Sequence, residues 1–248
     1  MNKYKIVSDI HVEFNGPFEL EKDSTYLIAG DVGPIGKALD FLNGVDESIK
    51  IFYIAGNHEF YGYDFPFGYA TLREGLRNKP NVTFLQDEYV EDDGVYIFGS
   101  TMWNDLDTPF FSKEQLIQRG ANYMNDFRVI KRDGRRFTPQ DMIESNSMSR
   151  VYLQKFLDTF RYEKTIVMTH HLPSFKSVDP MYGNESSQMN HFFASKLDKL
   201  MENYSPNVWI HGHTHTNCDY HIGETQVMCR PYGYPNENQR FKVGEVEL

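Results

Sequence analysis

Residues 51–59, Ile51-Phe52-Tyr53-Ile54-Ala55-Gly56-Asn57-His58-Glu59, decide the fold class. Five apolar residues, mostly β-branched or aromatic, read as a buried strand. The chain leaves that strand through a glycine and then presents three chemically capable side chains. The same succession occurs four more times. Tyr4–Ser8 ends at Asp9-Ile10-His11, Tyr26–Ala29 at Gly30-Asp31, Thr165–Thr169 at His170-His171, and Val208–Ile210 at His211-Gly212-His213-Thr214-His215. Strand C-termini are where α/β sheets place ligand sites, so patterns far apart in sequence can converge in space.

Outward from these segments, strand and helix patterns keep alternating. Ile35, Ala38, Leu39, Leu42 and Val45 follow helical spacing between the second and third strands, and Val82–Leu85 and Val95–Phe98 read as further strands. Thr138-Pro139 opens a long helix as N-cap and first-turn proline, and Phe192–Glu202 reads as another helix. Asp219–Ile222 and Thr225–Cys229 form a hairpin about Gly223-Glu224, and Lys242–Glu247 a last strand. In that hairpin paired residue numbers sum to a constant, so Cys218 faces Cys229 at a hydrogen-bonded position. Side chains there point less directly together, which predicts two reduced thiols. No linker, repeat or low-complexity tract divides residues 1–248, which read as one α/β layered domain.

Composition excludes several classes. With 40% hydrophobic residues the chain is no disordered polypeptide, and no apolar run approaches the roughly 18 residues that span a bilayer. The opening Met1-Asn2-Lys3-Tyr4-Lys5 turns polar too soon for a secretory signal, and two cysteines fit a reducing cytoplasm. The net charge of −10 argues against a duplex-DNA binder, whose phosphates call for a basic face, and leaves a small or single-stranded phosphate ligand open.

The five strand-end patterns carry the chemistry. Residues two apart in an extended segment point to the same side, so Asp9 with His11, and His213 with His215, are expected to present paired ligands to one cavity. The donors mix oxygen and nitrogen with no thiolate, which suits Mn²⁺, Fe or Zn²⁺ better than Ca²⁺. Two cations roughly 3.5–4 Å apart need a bridging carboxylate, for which Asp31 is the natural candidate. Ions so placed lower the pKa of a shared water and hold charge developing on a phosphoryl oxygen.

In order, D-x-H, G-D, G-N-H-E, a paired His and G-H-x-H resemble the calcineurin-like metallophosphoesterase family from Asp9 to His215, and the Cys229–Tyr234 ending resembles its small bacterial and phage members. The resemblance implies a four-layer αββα sandwich, two mixed β-sheets packed face to face and flanked by helices. It implies one divalent ion on Asp9, His11, Asp31 and His215, and a second on Asp31, Asn57, His170 and His213, with Mn²⁺ ahead of Fe or Zn²⁺. His58 would protonate the leaving oxygen or stabilise the transition state. Protein Ser/Thr phosphatases of this superfamily continue G-D with a second Asp, an Arg and a Gly. Here Val32-Gly33-Pro34-Ile35-Gly36 follows, which argues against that class.

Other residues point to substrate. His171 either touches substrate or satisfies a loop, and His211 reads as a hydrogen-bond partner rather than a third ligand. Arg128, Lys131, Arg132, Arg135 and Arg136 form either a solvated loop or, through Arg128, a phosphate contact. Tyr61, within an aromatic run from Phe60 to Tyr69, packs a loop or stacks on a nucleobase. Asn104 is either a turn residue or a phosphate donor. The whole predicts a dinuclear phosphoesterase in which a metal-bound hydroxide attacks a small phosphodiester or phosphomonoester, nucleotides slightly favoured. A nuclease on single-stranded or short nucleic acid, and a non-catalytic binding module on the same fold, are the alternatives.

Overall fold

The computed structural model describes residues 1–238 and 241–248. Strands β1 (Lys3–Val7), β2 (Thr25–Ala29), β3 (Lys50–Ile54) and β4 (Val82–Phe84) run parallel, and β13 (Gly244–Glu247) closes their sheet antiparallel to β1, in the order β13-β1-β2-β3-β4. The parallel centre of a second sheet is β6 (Val95–Ser100), β9 (Lys164–Thr169), β10 (Val208–His211) and β12 (Thr225–Cys229), with β5 (Glu88–Asp92) and β11 (Cys218–Ile222) antiparallel at its edges. The order across it is β11-β12-β10-β9-β6-β5. A two-residue ladder pairs β7 (Lys131–Arg132) with β8 (Arg135–Arg136).

The inner strands are apolar on both faces because both faces are covered. Ile6, Leu27, Phe52 and Ile54 of the first sheet meet Ile97, Ile166, Met168 and Ile210 of the second in a buried layer between them. The outer face of the first sheet packs Val7, Ile28 and Tyr53 against the helices Ile35–Gly44 and Phe67–Leu76. The outer face of the second packs Phe98, Val167 and Trp209 against the long helix Pro139–Thr159 and against Leu197 and Met201. Two mixed sheets face to face between helical layers is the architecture that the family resemblance implies.

Local chemistry fixes the ends of these elements. Thr138 caps the long helix through a reciprocal box: its hydroxyl accepts from Asp141 N at 3.2 Å while the Asp141 carboxylate accepts from Thr138 N at 2.8 Å. The hairpin register pairs Cys218 with Cys229 and Ile222 with Thr225, and both cysteines are free. The helix expected over Phe192–Glu202 starts later, at Asp198. Leu172 N donates to Phe193 O and Ser195 N to Leu172 O, both at 3.0 Å, so the chain there is drawn out to pair with the strap after β9.

The sheets approach each other closely at Gly99 of β6. A Cβ added there would lie 2.5 Å from Leu85 Cβ and 2.7 Å from Ile54 Cγ2. Gly99→Ala should therefore overpack the layer and lower stability by about 1–3 kcal/mol, measured by denaturant unfolding.

Candidate functional site

The C-terminal ends of β1, β2 and β3 meet those of β9 and β10, and the five sequence patterns come together there. Asp9, His11 and His215 form one group; Asp31, His170 and His213 form a second; His11, Asp31 and His58 link them, each set with ligand-capable atoms within 4.8 Å. His11 Nε2 and His215 Nε2 stand 3.1 Å apart. Asp31 Oδ2 lies 3.9 Å from His11 Nε2 and 3.4 Å from His170 Nε2, between the two groups. Asn57 Oδ1 is 3.0 Å from both His170 Nε2 and His213 Nδ1.

The convergence does not come from extended alternation. Asp9, His11, Asp31 and His213 all adopt left-handed backbone, with φ of 52°, 47°, 53° and 67°. Each strand kinks as it ends, turning its ligand inward. The glycines leave room for this. A Cβ on Gly56 would overlap the Asp31 carboxylate and the His170 ring, and one on Gly212 would lie 2.8 Å from Ala29 O.

Carboxylates behind the donor set orient it. Glu13 Oε1 sits 3.3 Å from His11 Nδ1 and 3.1 Å from His58 Nδ1, and Glu237 Oε2 is 2.5 Å from His215 Nδ1. Each of these imidazoles thus has one nitrogen on a carboxylate and the other turned into the site, the usual support of metal-ligating histidines. His170 Nδ1 donates to Ala29 O at 2.9 Å with the same effect. Asp126 Oδ1 accepts from Asn57 Nδ2 at 2.9 Å, which turns the Asn57 carbonyl toward His170 and His213. Burial alone would raise the Asp31 carboxyl, but the imidazoles of His170 and His58 hold it well below the usual carboxylate range. Burial likewise works against the His58 cation, and Asp31 and Glu13 outweigh it, raising its pKa to about 9.

This donor set fits divalent cations. Two imidazole nitrogens 3.1 Å apart, and an amide oxygen shared by two more, are spacings that ligands of one ion adopt, and His213 Nε2 is buried without a protein partner.

The remaining candidates take other places. His171 is buried with Nδ1 facing Thr101 O at 3.3 Å and its ring against Trp103 and His213, so it supports the site from below rather than facing the cavity. His211 bonds Ser177 Oγ and Gly212 O, not the donor set. Asn104 is buried, its amide placed to bond Phe192 O and Ala194 N. Tyr61 stacks on His58 at 4.2 Å and donates to Asp126, so one ring face is already covered. The Arg128 guanidinium bonds Asn122 O, while Arg132 and Arg135 bond Asp141. Arg132 and Arg135 are thus engaged at the start of the long helix.

A cavity of about 460 Å³ opens beside His58, lined by Asp31, Asn57, His213 and His215 on one side and by residues of 172–193 on another. Sequence reasoning missed Glu13, Asp126 and Glu237, which support the ligands, and did not assign Tyr234, whose hydroxyl is 3.1 Å from His58 Nε2. Glu13 alone left a local signal, two residues after the candidate ligand His11.

The family model described as calcineurin-like phosphoesterase matches residues 3–217. The chain belongs to that family. It is a hydrolase of phosphoester bonds, from a family whose members depend on metal. The chain is 27% identical over 273 residues to the uncharacterised protein L509 of Acanthamoeba polyphaga mimivirus, covering 97% of this chain and 94% of the relative. Its fold is similar to that of the phosphopantetheinyl hydrolase of Mycobacterium tuberculosis, with a TM-score of 0.78, 15% identity, and 99% and 95% of the two chains covered. The protein TT1561 of Thermus thermophilus shares the fold with a TM-score of 0.59 at 11% identity, covering 99% and 98%.

Two measurements follow from the supporting groups. Glu237→Gln should weaken divalent-metal affinity about 10–100-fold, read by equilibrium dialysis, because it withdraws the carboxylate from His215. Charge reversal in Arg128→Glu should leave KM and kcat unchanged, since the guanidinium is engaged outside the cavity lining.

Proposed function

We propose that this phosphoesterase works with two divalent ions, Mn²⁺ first, on a small phosphodiester or phosphomonoester. Asp9, His11, Asp31 and His215 would hold one ion, and Asp31, Asn57, His170 and His213 the other. The observation that carries the reading is Asp31: one buried carboxylate stands between two donor groups, each completed by residues from other strand ends. When bound, such ions supply Lewis-acid charge for the phosphoryl oxygens and make water acidic enough to react at neutral pH.

The chain's own residues do the rest. Glu13 accepts the Nδ1 proton of His58, leaving Nε2 at the cavity edge beside the Tyr234 hydroxyl. From there His58 can deliver a proton to the departing alcohol. Asp126 and Tyr61 hold the amide of Asn57 in one orientation, with the carbonyl inward. The apolar wall of the cavity limits the water around the reacting phosphate.

A nuclease reading loses support from Arg132 and Arg135, which bind Asp141, and from Arg128, which bonds Asn122 O, rather than being offered to a phosphate backbone. A non-catalytic module loses support from the donor set, since every position that the family pattern asks for is filled. A cytoplasmic setting is part of the proposal, supported by the two free cysteines.

The test compares Mn²⁺-supported hydrolysis of bis(p-nitrophenyl) phosphate and p-nitrophenyl phosphate by the native protein and two variants. Asp31→Ala should lose most bound metal and nearly all activity. His58→Ala should keep its metal and lose roughly 10²–10⁴ in rate, most for poor leaving groups. Metal-dependent activity retained in Asp31→Ala would refute the ligand assignment.

A further inference from the structure

The cavity beside His58 has an uneven lining. One wall comes from the strap between β9 and the helix at Asp198, through Leu172, Val178, Met189 and Phe193; Met124 faces them from the end of the helix Lys113–Tyr123. The charged side chains lining the cavity, beyond the candidate ligands, are Asp126, Asp179 and Glu237, together with His58, which is paired to Glu13. Among the described residues no lysine or arginine lines it. The nearest basic cluster in sequence, Arg132 with Arg135, is paired to Asp141.

We infer that the organic group esterified to phosphorus sits in this cavity, and that it is a largely apolar alcohol with no second phosphate or carboxylate. The inference rests on the phosphoesterase reading above and adds the substrate class. The scissile phosphate is the one anion that the donor set is built to neutralise. A second anionic group would be held against an apolar wall and three carboxylates with no lysine or arginine among the described residues to pair with, the His58 ring being already engaged by Glu13 and the Tyr234 hydroxyl. Such like-charge placement in a partly enclosed site selects against it. At about 460 Å³ the space takes a group of nucleoside size, within the usual range of small-molecule sites. The strap is thus the specificity element: it contributes most of the apolar wall, and Asp179, whose carboxylate accepts from Met181 N at 2.9 Å, is fixed at the turn.

A matched pair of esters tests this: thymidine 5′-(p-nitrophenyl phosphate) and the same ester carrying an additional 3′-phosphate. The Mn²⁺-loaded protein should prefer the first by roughly tenfold or more in kcat/KM. With metal withheld, so that neither ester turns over, calorimetric titration should give the weaker Kd for the 3′-phosphorylated ester. In Asp179→Lys the preference should shrink toward unity. Met189→Lys, which adds the same charge without touching the Asp179 turn, should do likewise. Equal or better use of the 3′-phosphorylated ester by the native protein overturns the inference and leaves the phosphoesterase reading standing. No hydrolysis of either ester, or of bis(p-nitrophenyl) phosphate, by metal-loaded protein sinks both together.

Discussion

The Glu59 carboxylate holds the site side of the first sheet together. It is fully buried, yet its two oxygens accept from Asp31 N at 3.1 Å, Val32 N at 2.8 Å, Gly56 N at 2.7 Å and the Tyr53 hydroxyl at 2.8 Å. These donors belong to the exits of two neighbouring strands, β2 and β3. Asp31 returns the bond by accepting from His58 N at 2.8 Å. Each N–H left unpaired at this depth would cost about 1–3 kcal/mol. The carboxylate thus fixes where Asp31 begins and where His58 begins, and the donor groups assemble from there.

The bonds are needed because the site is built from unfavourable backbone. Left-handed conformation costs a residue with a Cβ about 1–2 kcal/mol, and four of the candidate ligands adopt it. Long-range backbone bonds hold them: Asp9 N to Gly30 O and His11 N to Asp31 O, each at 3.0 Å, and Gly233 N to Asp9 O at 2.9 Å. The Asp9 carboxylate adds a bond from His213 N at 2.9 Å, reaching from one sheet to the other. The ligands are thereby oriented by the two sheets, not by their own preferences.

Much of this is legible in the sequence because the buried parallel strands are near-continuous apolar runs, and each stops where a ligand pattern starts. What was hidden has physical reasons. β5 is an edge strand that carries exposed Glu88 and Glu91 and ends in a buried Asp92 that accepts from the Tyr4 hydroxyl, so no apolar run marks it. The helix Lys113–Tyr123 is largely polar, and its one signal, the box between Ser112 and Gln115, is easily passed over. Asp126 and Glu237, and Glu13 in its contact with His58, act through contacts that tertiary structure alone creates. Arg128 could be read as a phosphate contact because its partner, Asn122 O, is a backbone carbonyl at the end of a helix that the sequence barely marks. The partner of Arg132 and Arg135, Asp141, belongs to a helix whose direction the sequence does not reveal. The residues of D-x-H and H-x-H do come together in the candidate donor set, though kinks rather than pleats aim them.

The first sheet joins ends of the sequence that are made at very different times. β1 pairs with β13 through Lys3–Glu247 to Ile6–Gly244, and Tyr232 N bonds Ser8 O at 2.8 Å just ahead of Asp9. During synthesis β1 is made long before β13, and one edge of β1 stays without its neighbour until β13 follows. The same late stretch brings Tyr234 and Glu237 to His58 and His215. Between the two, the turns at Asp9, Asp31 and His58 are translated but lack these supports, and an apolar strand edge stays open. It is then, rather than in the finished enzyme, that misplaced cations and other nascent strands compete for these groups.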